Sequence, residues 1–80
     1  MTSYEILSQL TAIFRDVFDD PELEPSRKMT AGDVSEWDSL SHVRLMLTVE
    51  KAFRVKFTAS QVGYLNNVGD LMDLLQSKLG

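Results

Sequence analysis

The sequence contains no cysteine among its 80 residues, and only one tryptophan and one histidine. The lack of cysteine excludes disulfides and thiolate metal sites, and it is compatible with the cytoplasmic location that we expect. No apolar run approaches the roughly 20 residues that a membrane-spanning helix requires. A chain of this length can bury a small core but not a deep substrate cavity with a catalytic apparatus. We therefore expect a single domain, residues 1–80, that is not an enzyme.

Basic residues are also scarce: the chain has eight basic and twelve acidic residues, which give a net charge of −4. The charge is unevenly distributed: residues 1–36 carry −5 and residues 58–80 carry −1, whereas residues 37–57 carry +2. An acidic chain with few clustered bases argues against nucleic acid as a partner. We expect a monomer that binds neither nucleic acid nor a membrane.

Apolar periodicity predicts an all-α bundle of three main helices and one short helix. The first helix opens with the capping box Thr2-x-x-Glu5 and ends before Pro21, because proline displaces the preceding residue from helical geometry. The second is expected from Ser39 to Phe53. A single turn from Thr58 to about Val62 and a helix after Asn67, closed by Lys78 and Gly80, complete the pattern.

The second helix has only one wholly polar strip, formed by Ser41, Arg44, Thr48 and Lys51 when successive residues are spaced by 100°. Most of its remaining circumference is apolar, which is typical of a helix packed against several neighbours. We therefore predict that it is the central element of the bundle. Its predicted buried residues are Leu40, Val43, Met46, Leu47, Val49 and Phe53.

Residues 19–37 form a long first loop, which includes both prolines of the chain. A loop of this length in a small domain is usually functional or disordered. Its scattered apolar residues, Leu23, Met29, Val34 and Trp37, indicate a segment held against the helices. Trp37 is interpreted as a core anchor, with partner contact as the alternative. Residues 54–57 alternate like a strand but have no partner strand, so we predict an extended link.

Asp38-Ser39-Leu40 lies where the loop meets the second helix. Aspartate and serine are favoured helix caps, which is the simplest explanation for both residues. A serine at this position is also exposed and close to backbone N–H groups suited to a phosphate. A third interpretation groups Asp38, Ser39 and His42 as a nucleophilic site, but the sequence offers no evident oxyanion hole for it.

This order of elements, with Asp38-Ser39-Leu40 opening the second helix of a short acidic chain, resembles the acyl carrier protein family. The resemblance covers essentially the whole chain. Val43 and Leu47 would lie on the core face, residues 50–57 match a charged helix end with its extended link, and residues 66–71 open the last helix. The fold that it implies is the acyl-carrier four-helix bundle.

The resemblance implies that Ser39 receives 4′-phosphopantetheine from coenzyme A through a phosphopantetheinyl transferase. The thiol of this arm would carry acyl or aminoacyl groups as thioesters for fatty-acid, polyketide or related biosynthesis. Its further partners would be the enzymes that load and transfer these groups. Asp38 would cap the helix and present Ser39. The residues expected to take part in partner recognition are Asp38, Leu40, Ser41, Arg44 and Lys51.

One departure from the family bears on the pathway. Carriers of bulk fatty-acid synthesis have an acidic second helix, whereas this helix has Ser41, Arg44 and Lys51 at the matching positions. With Trp37 before and His42 after the serine, the pattern is more similar to free-standing carriers of specialised pathways. The alternative function is a helical protein-interaction module that binds through Arg44 and Lys51 without any prosthetic group.

Overall fold

The computed structural model describes residues 1–79, and the predicted Gly80 helix end lies outside these residues. Within residues 1–79 four α-helices form: α1 (Ser3–Val17), α2 (Ser39–Phe53), α3 (Ala59–Gly63) and α4 (Val68–Leu79). A single 3₁₀ turn, Ala31–Asp33, interrupts the long loop between α1 and α2. No strand occurs within residues 1–79, so the all-α prediction is confirmed. None of the helices in this range has the length and apolarity to cross a bilayer.

Local chemistry sets the helix boundaries as the sequence predicts. Thr2 and Glu5 form a reciprocal capping box, in which each side chain accepts a hydrogen bond from the backbone N–H of the other residue. Thr58 and Gln61 form the same motif at the start of α3. The chain leaves α1 through Asp19, whose φ of 51° is one of the left-handed conformations that aspartate tolerates.

The centre of the bundle is α1 rather than α2, which corrects the prediction from the sequence. The long helices α2 and α4 both pack against α1, and contact between α2 and α4 is weaker. Three of the most completely buried side chains, Ile6, Leu10 and Phe14, belong to α1. They recur every four residues, so they form one continuous buried face along this helix.

The apolar surface of α2 divides into two faces. Leu45, Met46, Val49 and Phe53 are buried, as expected for a core face. The side chains of Leu40, Val43 and Leu47 are instead exposed by 75%, 52% and 60%, so the prediction that they are buried is wrong. At 100° per residue these three lie roughly opposite the buried set, and no element of residues 1–79 covers that side. Apolar character alone did not reveal which face meets α1.

The loop of residues 19–37 is fixed to the bundle along its length. Val34 is buried, and Leu23, Met29 and Trp37 pack against the core, as predicted. Near its middle the loop also bonds to the start of α4, where the N–H of Val68 donates to Met29 O at 2.9 Å. The neighbouring N–H of Gly69 donates to Arg27 O at 2.8 Å.

A side-chain contact strengthens the same junction between loop and α4. The guanidinium group of Arg27 bonds both carboxylate oxygens of Asp73, at 3.0 and 3.1 Å. Both side chains are more than half exposed, so this pair contributes little to stability. The two backbone hydrogen bonds therefore hold the loop to α4, and the ion pair is an additional contact on the exposed side of this junction.

The segment after α2 is an extended link, as predicted. Arg54 ends the helix in a left-handed conformation with a φ of 57°. Val55 and Phe57 turn their side chains toward the core and are half-buried. The backbone N–H of Phe57 donates to the Glu50 carboxylate at 2.7 Å. This bond holds the link against the last turn of α2.

Candidate functional site

Asp38 is the N-cap of α2, and the residue that completes the cap is Ser41. The Asp38 carboxylate accepts the N–H of Ser41 at 2.9 Å, and the Ser41 hydroxyl accepts the N–H of Asp38 at 2.8 Å. The Ser41 hydroxyl also donates to Glu36 O at 2.7 Å, which ties the end of the loop to the helix. The Ser41 N–H and then its hydroxyl lower the pKa of Asp38 below the usual aspartate value. The cap is therefore an ionised carboxylate under ordinary conditions.

Ser39 is the first residue of α2, immediately after this cap. Its side chain is exposed, and its hydroxyl makes no hydrogen bond within residues 1–79. The first turn of a helix has backbone N–H groups without helical partners and the positive end of the helix dipole. The structure thus holds an uncommitted hydroxyl on a backbone position that favours a bound phosphate.

A cleft of about 490 Å³ opens beside Ser39, between the start of α2 and the end of α3. The indole of Trp37 forms part of its wall, packed edge-on against Phe14 of the core with ring centroids 5.3 Å apart. Trp37 is therefore the predicted core anchor, and it also borders the surface next to Ser39. The other residues that line the cleft are Ala31, Asp38, His42, Val62, Gly63, Leu65 and Asn66.

His42 joins three parts of this cleft. Its Nδ1 atom accepts a hydrogen bond from the Trp37 indole N–H at 3.0 Å. Its Nε2 atom lies 3.4 Å from Val62 O in α3. Because a carbonyl oxygen can only accept, the neutral ring with its proton on Nε2 satisfies both contacts. His42 therefore links the loop, α2 and α3 through a half-buried side chain.

These contacts bear on the nucleophilic interpretation of Asp38, Ser39 and His42. A serine nucleophile requires a base within hydrogen-bond reach of its hydroxyl. Both ring nitrogens of His42 have other partners, and the Asp38 carboxylate bonds to Ser41 rather than to the imidazole. The three residues are neighbours in the fold, but the hydrogen bonds of His42 and Asp38 stabilise the start of α2 and do not involve Ser39.

The predicted partner-recognition residues lie at different degrees of exposure. Leu40, Arg44 and Lys51 are exposed on the outer side of α2. Ser41 is half-buried and bonded within the cap, and the Thr48 hydroxyl donates to Arg44 O at 2.8 Å. The polar strip inferred from the sequence is thus not uniformly available to a partner. Its charged members are exposed, and its hydroxyl members bond to the backbone.

Two parts of the site were not found from the sequence. The bond between Trp37 and His42 crosses the boundary between loop and helix, where no periodic pattern applies. The bond from Ser41 to Glu36 O likewise depends on how the loop enters the helix. The spacing Asp-x-x-Ser is a variant of the capping box and was the one available signal for the role of Ser41.

The fold and site together define a small helical protein with an exposed serine at the start of its second long helix. Among solved structures, the solution structure of a holo acyl carrier protein from Geobacter metallireducens matches with a TM-score of 0.86. The two sequences are 45% identical, and the match covers 91% of this chain and 84% of the other. Neither a scan against protein-family models nor a search of curated proteins found a match. The chain belongs to the acyl carrier protein family.

Proposed function

We propose that Ser39 is the attachment residue for 4′-phosphopantetheine. The observation that supports this most directly is the exposed Ser39 hydroxyl, free of hydrogen bonds within residues 1–79, on the first residue of α2. A phosphodiester formed there would lie against the unpaired N–H groups of the helix start. The prosthetic group borne by the holo relative is the precedent for this assignment.

In the attachment step, a phosphopantetheinyl transferase brings coenzyme A to Ser39. The Ser39 oxygen attacks the phosphorus next to pantetheine, the pyrophosphate bond breaks, and adenosine 3′,5′-bisphosphate leaves. The serine proton passes to a base of the transferase, since both nitrogens of His42 are engaged elsewhere. Once attached, the group supplies a terminal thiol that holds acyl or aminoacyl cargo as a thioester.

This chain itself supplies presentation rather than chemistry. Asp38 and Ser41 cap the first turn, so the backbone that bears Ser39 keeps one position for the transferase. Leu40 and Arg44 lie exposed close to Ser39, where any enzyme that reaches the arm must pass. We propose that the enzymes that load and transfer acyl groups recognise the chain by contacting these residues together with Asp38, Ser41 and Lys51. The basic side chains favour partners with acidic or neutral surfaces, in a specialised rather than a bulk fatty-acid pathway.

The test is incubation with coenzyme A and a promiscuous phosphopantetheinyl transferase, followed by intact mass measurement. The wild-type chain should gain the mass of one phosphopantetheine group, and Ser39→Ala should gain none. Ser60→Ala, which removes another exposed helical serine, is the matched control and should be modified like the wild type. Circular dichroism of Ser39→Ala should show an intact fold, because exposed substitutions usually change stability by no more than about 0.5 kcal/mol. Modification of Ser39→Ala, or its failure to fold, would contradict the assignment.

The alternative function is a protein-interaction module that carries no prosthetic group. The observation in its favour is the exposed apolar face of α2, formed by Leu40, Val43 and Leu47. A contiguous exposed apolar patch commonly marks a protein-binding surface. The same mass experiment separates the two functions, because only a carrier is modified at Ser39.

A further inference from the structure

A second cleft, of about 460 Å³, lies at the opposite end of α2 from Ser39. The helix has 15 residues, so its two ends are about 21 Å apart at 1.5 Å per residue. This distal cleft shares no lining residue with the cleft beside Ser39. It is lined by Leu47, Glu50, Lys51, Arg54, Val55 and Lys56.

Three cations surround the distal cleft and one carboxylate opposes them. Lys51, Arg54 and Lys56 are exposed, and none of them forms a salt bridge within residues 1–79. The carboxylate is that of Glu50, which is half-buried and bonded to the N–H of Phe57 at 2.7 Å. The cleft therefore has a positive excess that no group among the described residues neutralises.

The distal cleft also has apolar surface between its charges. Leu47 is 60% exposed, and Val55, which also lines the cleft, is half-buried. Leu47, Lys51 and Arg54 follow at spacings of four and three, so they share one side of the helix end. Cations near a helix C-terminus also complement the helix dipole, which accounts for Lys51 and Arg54 on stability grounds. That explanation does not account for the exposed Leu47, one turn before Lys51 on the same side of the helix.

We propose that the distal cleft is a docking site for an acidic segment of a partner protein. The segment would place at least two carboxylates against Lys51, Arg54 and Lys56 and one apolar side chain against Leu47 and Val55. The inference rests on the proposed function only in that the partner would be an enzyme serving Ser39. An apolar centre with a charged rim is the usual anatomy of a protein interface.

Charge outside the cleft favours a protein segment over a larger polyanion. Residues 44–56 contain four bases and one acid, net +3, so the rest of the chain carries −7. A nucleic acid or an anionic bilayer would extend beyond the cleft and meet this acidic surface. A short acidic segment of a protein can place its charges against the cleft alone.

The probe is a synthetic helix-forming peptide with glutamates flanking leucine, and its control has glutamine in place of every glutamate. Each is titrated into the unmodified, ¹⁵N-labelled full chain at low salt. Backbone shifts should concentrate at Leu47, Lys51 and Val55 for the acidic peptide and be weak for the control. Added salt should weaken the binding, because exposed charges are screened over about 10 Å at 0.1 M ionic strength. Equal binding of both peptides, or shifts elsewhere on the protein, would overturn the proposal.

Single substitutions test whether the acidic peptide binds at the distal cleft. Lys51→Glu should weaken binding by roughly tenfold, because it replaces an attraction with a repulsion. Lys28→Glu makes the same charge change in the exposed part of the long loop and should leave the affinity within about twofold. Leu47→Gln should weaken binding while leaving the charges unchanged. An equal loss from Lys28→Glu would show that only net charge matters and would overturn the assignment.

Two further measurements address other occupants and the link to the carrier function. The chain could bind phosphatidylserine vesicles, lose this binding in Lys51→Glu, and not bind the acidic peptide. That result would assign the cleft to a membrane and overturn the proposal. Concentration-dependent shifts at the cleft in the absence of peptide would assign it to a second copy of the chain, with the same consequence. Ser39→Ala should bind the peptide like the wild type. If Ser39 were not modified by the transferase, peptide binding at the distal cleft would be unaffected. The docking proposal and the attachment proposal can therefore be contradicted independently of each other.

Discussion

At the scale of single residues, Asp38 contributes a charge to the start of α2 as well as a cap. Asparagine caps helices about as well as aspartate, but it has no charge to interact with the helix dipole. The N–H of Ser41 donates to the Asp38 carboxylate at 2.9 Å, the Ser41 hydroxyl lies 3.1 Å from the same oxygen, and both lower the pKa of Asp38. A lowered pKa in the folded state means that ionised Asp38 stabilises the fold.

This contribution should depend on pH with a definite sign. It is fully present above the unfolded-state pKa of aspartate, about 3.9, and is lost as the pH falls through the lower folded-state pKa. Asp38→Asn should therefore have a lower Tm than the wild type at pH 7, and the difference should shrink as the pH falls below the unfolded-state value and through the lower folded-state pKa. The measurement is thermal unfolding across this range. A difference that persists unchanged at low pH would mean that the carboxylate charge is not responsible.

His42 is the second residue whose role is testable alone. His42→Phe keeps an aromatic ring but leaves the Trp37 N–H and the Val62 carbonyl without their partner. Loss of these bonds at half-buried groups should cost about 1–3 kcal/mol of unfolding free energy. Trp37 fluorescence should change at the same time, because the indole loses its fixed acceptor. Urea unfolding of His42→Phe, with Trp37→Phe and the double variant, measures the coupling between the two side chains. Additive losses would show that the two rings do not stabilise one another.

At the scale of helices, two glycines of the chain should respond oppositely to the same substitution. A Cβ at Gly69 would lie 3.0 Å from Arg27 O, in the junction between the long loop and α4. A Cβ at Gly63, in the last turn of α3, would meet nothing within 4 Å. Helix propensity alone favours alanine at both sites.

Gly69→Ala should therefore destabilise the protein by about 1–3 kcal/mol, because the loop must move away from α4. Gly63→Ala, the matched control, should stabilise it by about 0.4–1 kcal/mol through a less flexible unfolded chain. Urea unfolding gives both values. If Gly69→Ala were as stable as the wild type, the backbone bonds between loop and α4 would not be a rigid junction.

The helices themselves followed from the sequence, because caps and breakers act locally. Thr2, Asp38 and Thr58 each cap the helix that they were predicted to cap, and Asn67 accepts the N–H of Asp70 at 2.8 Å in the first turn of α4. The exposed serine of the site followed from its position beside Asp38. These assignments needed only spacing and the capping chemistry of individual residues.

The packing of α2 could not be predicted by the same reasoning. Its apolar residues occupy two sides of the helix, and the buried side is selected by contact with α1, which periodicity does not encode. Leu40, Val43 and Leu47 therefore looked like core residues although they are exposed. The bond of His42 to Trp37 was missed for a similar reason, since it depends on the path of the loop.

At the scale of the whole molecule, the proposed attachment residue Ser39 and the proposed docking cleft lie at opposite ends of one helix, α2. The protein measures about 31 × 26 × 21 Å, so one partner of ordinary interface size can cover both ends. The exposed Leu47 and the basic side chains of α2 lie between these two ends or at the distal one. The acidic residues of the first 36 positions give the chain most of its negative charge. A partner with an acidic surface would thus be guided toward α2 and away from the rest of the molecule.

The same scale governs how the protein unfolds. The core combines Ile6 of α1, Val34 of the loop, Leu45 of α2 and Val68 of α4, so no segment has a core of its own. Trp37 packs against Phe14, which places the long loop in direct contact with the central helix. We therefore expect the loop and the helices to unfold together, as small domains usually do.

Tryptophan fluorescence and far-ultraviolet circular dichroism report the two parts separately, because Trp37 is the one tryptophan of the chain. Native fluorescence should be blue-shifted by the packed surroundings of Trp37 and should move to longer wavelength on unfolding. The urea transitions from the two signals should coincide in midpoint and slope. A fluorescence transition at distinctly lower urea would show that the loop detaches before the helices melt. In that case the wall of the cleft beside Ser39 would open while the helices stay folded. The long loop would then be a mobile border of the proposed attachment site rather than a fixed one.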